Sequence, residues 1–221
     1  MIKMHDAGKS RVTYPTAFNL GFFAYYSEAG TKFTMPVANI VADENDALNH
    51  YSRYYLNEWS GGEAIRNGKV TLNCDENAGR QFFGKKVSTL IISPNNKAAV
   101  RELNKIPGNV KYAISGVPVI RGGEEVSWRS FAMRQGWDAS VMYATYRNWI
   151  GLKNNRLYVI SGKTATGNYL STSEFPKKIA DLELDDCIAV DGGGSYFLKV
   201  NGTMVAKYGE RQINNIGVIL P

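Results

Sequence analysis

Every apolar run in this chain is only a few residues long. The stretch CIAVDGGGSYFLKVNG, residues 187–202, shows how such runs are separated: by an aspartate and three consecutive glycines, then by an Asn-Gly pair. Runs of this length suit strands joined by tight turns, and none is long enough to cross a membrane as a helix. Glycine supplies 22 of the 221 residues, as expected where many turns need backbone freedom.

The rest of the chain follows the same pattern. TAFNLGFF (16–23) reads as a strand entering a turn at Gly21, and residues 33–41 as a strand interrupted at Pro36. Leu48, Tyr51, Tyr55 and Trp59 recur at helical spacing, so a helix is expected over 46–59, stopped by Gly61-Gly62. Residues 68–73 and 86–93 are strands. Ala99, Val100 and Leu103 predict a second helix over Asn95–Ile106, ended by Pro107-Gly108. Further strands are expected at 110–114 and 117–121, and two more within 139–161 around a turn at Lys153-Asn154-Asn155. Ser171 and Glu174 have capping-box spacing, and Phe175, Ile179 and Leu182 continue it as a third helix. Strands at 187–191, 195–200, 203–208 and 213–220 close the chain, with a hairpin at Asn201-Gly202. The expectation is an α+β fold: a single mixed, mostly antiparallel β-sheet domain over residues 1–221 with about three helices.

Composition narrows the function. Apolar residues make up 44% and charged residues 21%, as in soluble globular proteins. The net charge of +6 suits an anionic partner such as a phosphorylated sugar, a wall polymer or a nucleic acid. The basic residues are scattered, with short pairs only at places such as Lys85-Lys86 and Lys177-Lys178, which argues against nucleic acid. Cys74 and Cys187 form no CxxC, and neither His5 nor His50 sits in a recognisable triad. No metal or cofactor is expected. Ala7-Gly8-Lys9-Ser10 has hardly any chain upstream for the strand and the glycine that a phosphate-binding loop needs, so it is not read as one. The segment MIKMHDAGKSRV has no apolar h-region, so synthesis in the cytoplasm is expected, with a phage-encoded or virion-associated protein also consistent.

The aspartate and glycine run is the candidate for chemistry. Successive N–H groups without side chains can form a concave anion-binding nest, and glycine lets a ligand approach the main chain. A carboxylate beside such a nest can serve as base, nucleophile or hydrogen-bond acceptor. A plain hairpin loop or a bulge explains the same residues equally well.

Residues Ile179 to Val218 resemble the phosphodiester glycosidase family, whose members end with an apolar strand, DGGGS, an NG hairpin and an arginine before an asparagine-containing strand. Here these are Ala189-Val190-Asp191-Gly192-Gly193-Gly194-Ser195, Asn201-Gly202, and Arg211 ahead of Asn214-Asn215. Upstream, Asn19-Leu20-Gly21-Phe22-Phe23 is similar to an NGGYF-type motif, with leucine for the first glycine. Arg147-Asn148-Trp149-Ile150-Gly151 is similar to R-T-x-x-G, with asparagine for threonine, while residues 44–110 do not match the family's pattern well and are expected to carry a helical insertion.

The resemblance implies a hydrolase that cleaves between a sugar's anomeric carbon and a phosphodiester oxygen, with a sugar-phosphate conjugate or anionic glycan as substrate. It assigns Asp191 as the carboxylate at the anomeric carbon, and Arg147 and Arg211 as the phosphate clamp. The backbone of Gly192, Gly193 and Gly194 becomes the cradle, with Ser195 adding a hydrogen bond. Asn19, Gly21 and Phe23 complete the substrate-binding set. Each has a plainer alternative: surface ion pairs for the arginines, a turn cap for Asn19, loop shaping for Asp191. A non-catalytic module that binds anionic glycans on the same fold is the alternative function.

Overall fold

The computed structural model describes residues 2–6, 16–43, 65–66, 68–74, 81–162, 170–209, 213 and 215–219. Their strands form three sheets rather than one. An eleven-stranded sheet runs β17 (Thr203–Lys207), β16 (Phe197–Val200), β2 (Thr16–Asn19), β18 (Asn215–Ile219), β1 (Ile2–Asp6), β5 (Ile40–Asp43), β10 (Tyr112–Ser115), β8 (Val87–Ile92) and β9 (Ala98–Leu103). Strand β7 (Lys69–Leu72) pairs with β5, and β6 (Ile65–Arg66) with β7. A five-stranded sheet runs β12 (Glu124–Glu125), β11 (Val117–Arg121), β15 (Asp186–Gly192), β13 (Arg147–Lys153) and β14 (Arg156–Ser161). The hairpin β3 (Phe23–Glu28) and β4 (Thr31–Pro36) stands apart. Among the described residues only β1 and β5 pair in parallel, through His5 and Asp43.

The single-sheet expectation fails because the central strands are apolar on both faces. Along β13, Arg147 to Leu152 are all buried. Burial of both faces requires a layer on each side. Ile150, Ile188 and Val190 pack toward Phe18, Ile40, Leu90 and Ile114 of the large sheet and Leu20 just after β2. The opposite face carries Trp149, Cys187 and Ala189, which pack with Ala132, Trp137 and Phe175. The indole of Trp149 stacks on Phe175 at 4.2 Å.

The expectation of about three helices is corrected as well. Two short α-helices are described, Trp128–Gln135 and Phe175–Lys178. The first was not expected, and Gly136 at φ 90° ends it. The second ends at Lys178, short of the Ile179 and Leu182 expected to continue it, and the Ser171–Glu174 box closes the turn ahead of it: Ser171 N–H donates to Glu174 Oε2 at 3.0 Å and Glu174 N–H donates back to Ser171 Oγ at 3.2 Å. The helix expected over Asn95–Ile106 is instead β9, paired residue for residue with β8. Ala98 and Val100 meet one apolar cluster while Ala99 and Leu103, flanking the exposed Arg101, meet another, so apolar residues fall on both faces of the strand and their spacing imitates a helix. The helix expected over 46–59 lies outside the described residues. No helix among the described residues is long and apolar enough to cross a membrane. Cys74 and Cys187 are both free and buried.

Candidate active site

The site is built where β13 begins and β15 ends. Arg147 is the register partner of Gly192, whereas Trp149 is the partner of Ala189. Val190 and Asp191 therefore stand opposite Asn148 alone, the geometry of a β-bulge, which redirects side chains at the end of a strand. Val190 stays in the core between the sheets, and Asp191 reaches a cleft of about 470 Å³. Arg147, Gly192, Gly193, Phe22, Phe23 and Trp137 line the same cleft.

Arg147 is only 2% exposed. Its Nη1 donates to the Val190 carbonyl at 3.2 Å, and its guanidinium carbon lies 5.8 Å from the centroid of the Phe22 ring. Its Nε has no hydrogen-bond partner among the described residues. Burial pushes its pKa down to about 10, and the charge of Asp191 acts in the opposite direction. The guanidinium is thus a charged group at neutral pH with an unfilled donor, costly to leave without an anion.

The three glycines do different things. A Cβ at Gly192 would lie 2.4 Å from the Tyr146 carbonyl oxygen and 3.2 Å from Arg147 Cβ, so this glycine is needed for close strand packing. Gly193 has φ 58° and its N–H donates to the Tyr146 carbonyl at 2.8 Å. That donor is spent within the protein rather than held open toward the cleft. Gly193–Ser195 then form a turn of 3₁₀ helix, and the glycine at 209 packs directly on Gly194. Gly194 and Ser195 do not line the cleft, and Ser195 is buried with its hydroxyl unpartnered among the described residues.

The early motif lies beneath Asp191. Asn19 is 1% exposed; its Oδ1 accepts from Asn148 Nδ2 at 2.7 Å and from Phe197 N–H at 3.1 Å. Its Nδ2 donates to the backbone carbonyl of Asp191, while the Asp191 N–H donates to the Leu20 carbonyl at 2.9 Å. Asn19 thus holds the aspartate's main chain and is not a cleft-lining residue. Gly21 is the buried bend that follows, and Phe23 lines the cleft. Arg211 lies outside the described residues.

The cleft also contains residues that the sequence did not single out. Trp137 packs on Phe22 at 4.9 Å and on Phe82 at 4.8 Å, and its indole N–H donates to Gln135 Oε1 at 3.4 Å. Gln135 is fixed in turn by Ser88, whose N–H donates to Oε1 at 3.1 Å and whose Oγ accepts from Nε2 at 2.9 Å. Asp138 follows, with its pKa lowered chiefly because the Ser140 amide donates to it. These residues carry no short motif; their only signal is an aromatic and a carboxylate in a loop. Among the described residues, no group of three or more His, Cys, Asp or Glu could hold a metal ion.

The family model for phosphodiester glycosidases matches residues 36–220. The chain belongs to the phosphodiester glycosidase family. The cleft residues Arg147, Asp191, Gly192 and Gly193 all fall within the match. Solved structures agree on the fold. The chain is similar to the zebrafish N-acetylglucosamine-1-phosphodiester alpha-N-acetylglucosaminidase catalytic domain, auto-inhibited by its pro-peptide. Identity is 15% and the TM-score 0.57, over 99% of this chain and 72% of that one. A hypothetical protein from Synechocystis matches at 13% identity and TM-score 0.50, over 98% of this chain and 56% of that one. A Burkholderia pseudomallei protein described as exported matches at 12% identity and TM-score 0.53, over 100% of this chain and 71% of that one. No curated protein matches the chain.

Proposed function

We propose that the chain is a hydrolase that cleaves the bond between a sugar's anomeric carbon and a phosphodiester oxygen. One observation carries this reading. Arg147, buried and with Nε unpartnered among the described residues, shares a cleft with the carboxylate-bearing Asp191. A planar guanidinium matches phosphate oxygens in bidentate fashion, and a carboxylate suits an oxocarbenium-like centre. Family membership supports the same class of reaction.

In this reading Arg147 binds the non-bridging oxygens of the phosphodiester. As the C1–O bond breaks, its electron pair leaves with the phosphate, and the guanidinium holds the growing charge. A phosphate monoester departs readily, so little proton donation is required of the protein. Asp191 stabilises the positive charge at C1. Water then adds to C1 and releases a proton to solvent, giving the free sugar and a phosphate monoester. Substrates of this class include wall polymers, glycolipid head groups and nucleotide sugars.

The test is release of free sugar from a panel of sugar-1-phosphodiesters. Wild type is expected to turn over at least one member, with Asp191→Asn and Arg147→Lys slower by about a hundredfold or more at unchanged circular dichroism. Glycan binding by wild type without turnover on any member overturns the reading in favour of a non-catalytic anionic-glycan-binding module.

A further inference from the structure

We propose that the 3₁₀ turn Ala139–Met142, with Asp138 at its start and Tyr143 at its end, is the sugar-recognition arm of this cleft. Asp138 and Tyr143 are the two carriers of specificity. The inference rests on the hydrolase reading above and deepens it, because neither residue belongs to the phosphate-binding pole around Arg147.

Both ends of one short turn face the same cleft: Asp138, Ser140, Val141 and Tyr143 all line it. Asp138 is exposed, and Tyr143 is 67% exposed, far more than a tyrosine kept for packing. A carboxylate paired with an exposed aromatic face is the chemistry that recognises a sugar ring. The carboxylate accepts from hydroxyl groups, and the ring covers the apolar C–H face.

The arm is rigid, as a recognition element must be to select geometry. Asp138 Oδ1 accepts from Ser140 N–H at 2.8 Å, and its carbonyl accepts from Val141 N–H at 3.1 Å. Tyr143 N–H donates to the Ser140 carbonyl at 3.3 Å. Two buried side chains pin the ends: Trp137 before Asp138, and Met142 before Tyr143. The Met142 carbonyl also accepts from Thr172 Oγ1 at 3.4 Å. The Ser140 amide and the Ser140 hydroxyl take two of the roughly four acceptor positions of the Asp138 carboxylate, so it keeps acceptor capacity for a ligand. Its lowered pKa keeps it ionised across the physiological range, which suits an acceptor and not a proton donor.

The cleft then has two poles. Arg147 takes the phosphate, and the Asp138–Tyr143 arm takes the ring and hydroxyls of the sugar. Asp191 is the charged group associated with the Arg147 pole, since its charge acts on that guanidinium.

The experiment uses Asp138→Asn and Tyr143→Ala in the full chain. Asparagine caps the turn as aspartate does, and Tyr143 is largely exposed, so both variants are expected to fold. Two measurements are made: hydrolysis of methyl phosphodiesters of hexose 1-phosphates and N-acetylhexosamine 1-phosphates, and competition by the free monosaccharide and by inorganic phosphate. KM is expected to rise about tenfold for Asp138→Asn and about threefold to tenfold for Tyr143→Ala, with kcat within about twofold. Inhibition by the monosaccharide should weaken in step, and inhibition by inorganic phosphate should stay the same. Hydrolysis with unchanged KM in both variants overturns the arm and leaves the hydrolase reading standing. Monosaccharide binding that both substitutions weaken, with no hydrolysis in wild type, supports the arm and overturns the hydrolase reading. Wild type that neither binds monosaccharide nor turns over any substrate overturns both.

Discussion

Asn148 donates through its side-chain amide to Asn19 Oδ1 at 2.7 Å, joining residues 129 positions apart in sequence. The same Asn19 oxygen accepts from Phe197 N–H, and the Asn19 amide donates to the Asp191 carbonyl. One buried side chain therefore ties β2 and the start of β16 to the two strands that carry the cleft's charged groups.

Asn19→Ala should consequently act on stability before chemistry. It leaves the Phe197 N–H and the Asp191 carbonyl without these partners inside the protein. Asn148 retains its bond to the Phe197 carbonyl at 2.9 Å. The expected loss is about 3 kcal/mol, read as a fall in the urea midpoint at constant m-value. A loss below about 1 kcal/mol would show that Asn19 is not the tie described.

Arg147 should trade stability against function. Burial depresses its folded pKa to about 10, so between that value and its ordinary one the unfolded chain holds more protons than the folded one. The sign follows: stability contributed by this group rises with pH through that window, and below it the buried charge is a constant cost. Arg147→Met removes the charge while keeping most of the volume. It is expected to abolish turnover yet raise unfolding stability at pH 7 by about 1 kcal/mol. A Met variant clearly less stable than wild type would show that the Val190 bond outweighs the burial cost.

The glycines of the run should separate into two classes. Gly192→Ala drives a Cβ to 2.4 Å from the Tyr146 carbonyl, so β13 and β15 must move apart, at about 3 kcal/mol. Gly193→Ala meets nothing closer than Thr145 Oγ1 at 3.5 Å and pays only for its φ of 58°, about 1 kcal/mol. Equal losses in parallel denaturation curves would contradict this account.

The two thiols should be silent in the native protein. Cys74 and Cys187 are both free and fully buried, and burial pushes the Cys187 thiol well above its ordinary range. A thiol reagent is expected to react negligibly with the native chain and with both cysteines in denaturant, without prior reduction. Rapid native labelling of either residue would be inconsistent with this burial.

Local patterning made the turns and many strands legible. Asn154-Asn155 and Asn201-Gly202 adopt positive φ where the sequence placed hairpins, because only a few residue types tolerate that conformation. The Ser171–Glu174 box forms for a similarly local reason. Asp191, Arg147 and the glycines could be picked out by motif. What each glycine does could not, because the contact of Gly192 with Tyr146 depends on a strand 46 positions away in register.

The sequence by itself determined where the chain turns, which short runs extend, and which charged residues to watch, since these depend on each residue's own backbone and side-chain preferences. Only the tertiary structure decided that the strands divide among three sheets, that β9 is not a helix, and that Trp137, Asp138 and Tyr143 join Arg147 and Asp191 in one cleft. The physical reason is burial on both faces. A strand covered by two layers loses the alternation that would announce it, and a cleft forms between residues whose meeting is set by packing at long range.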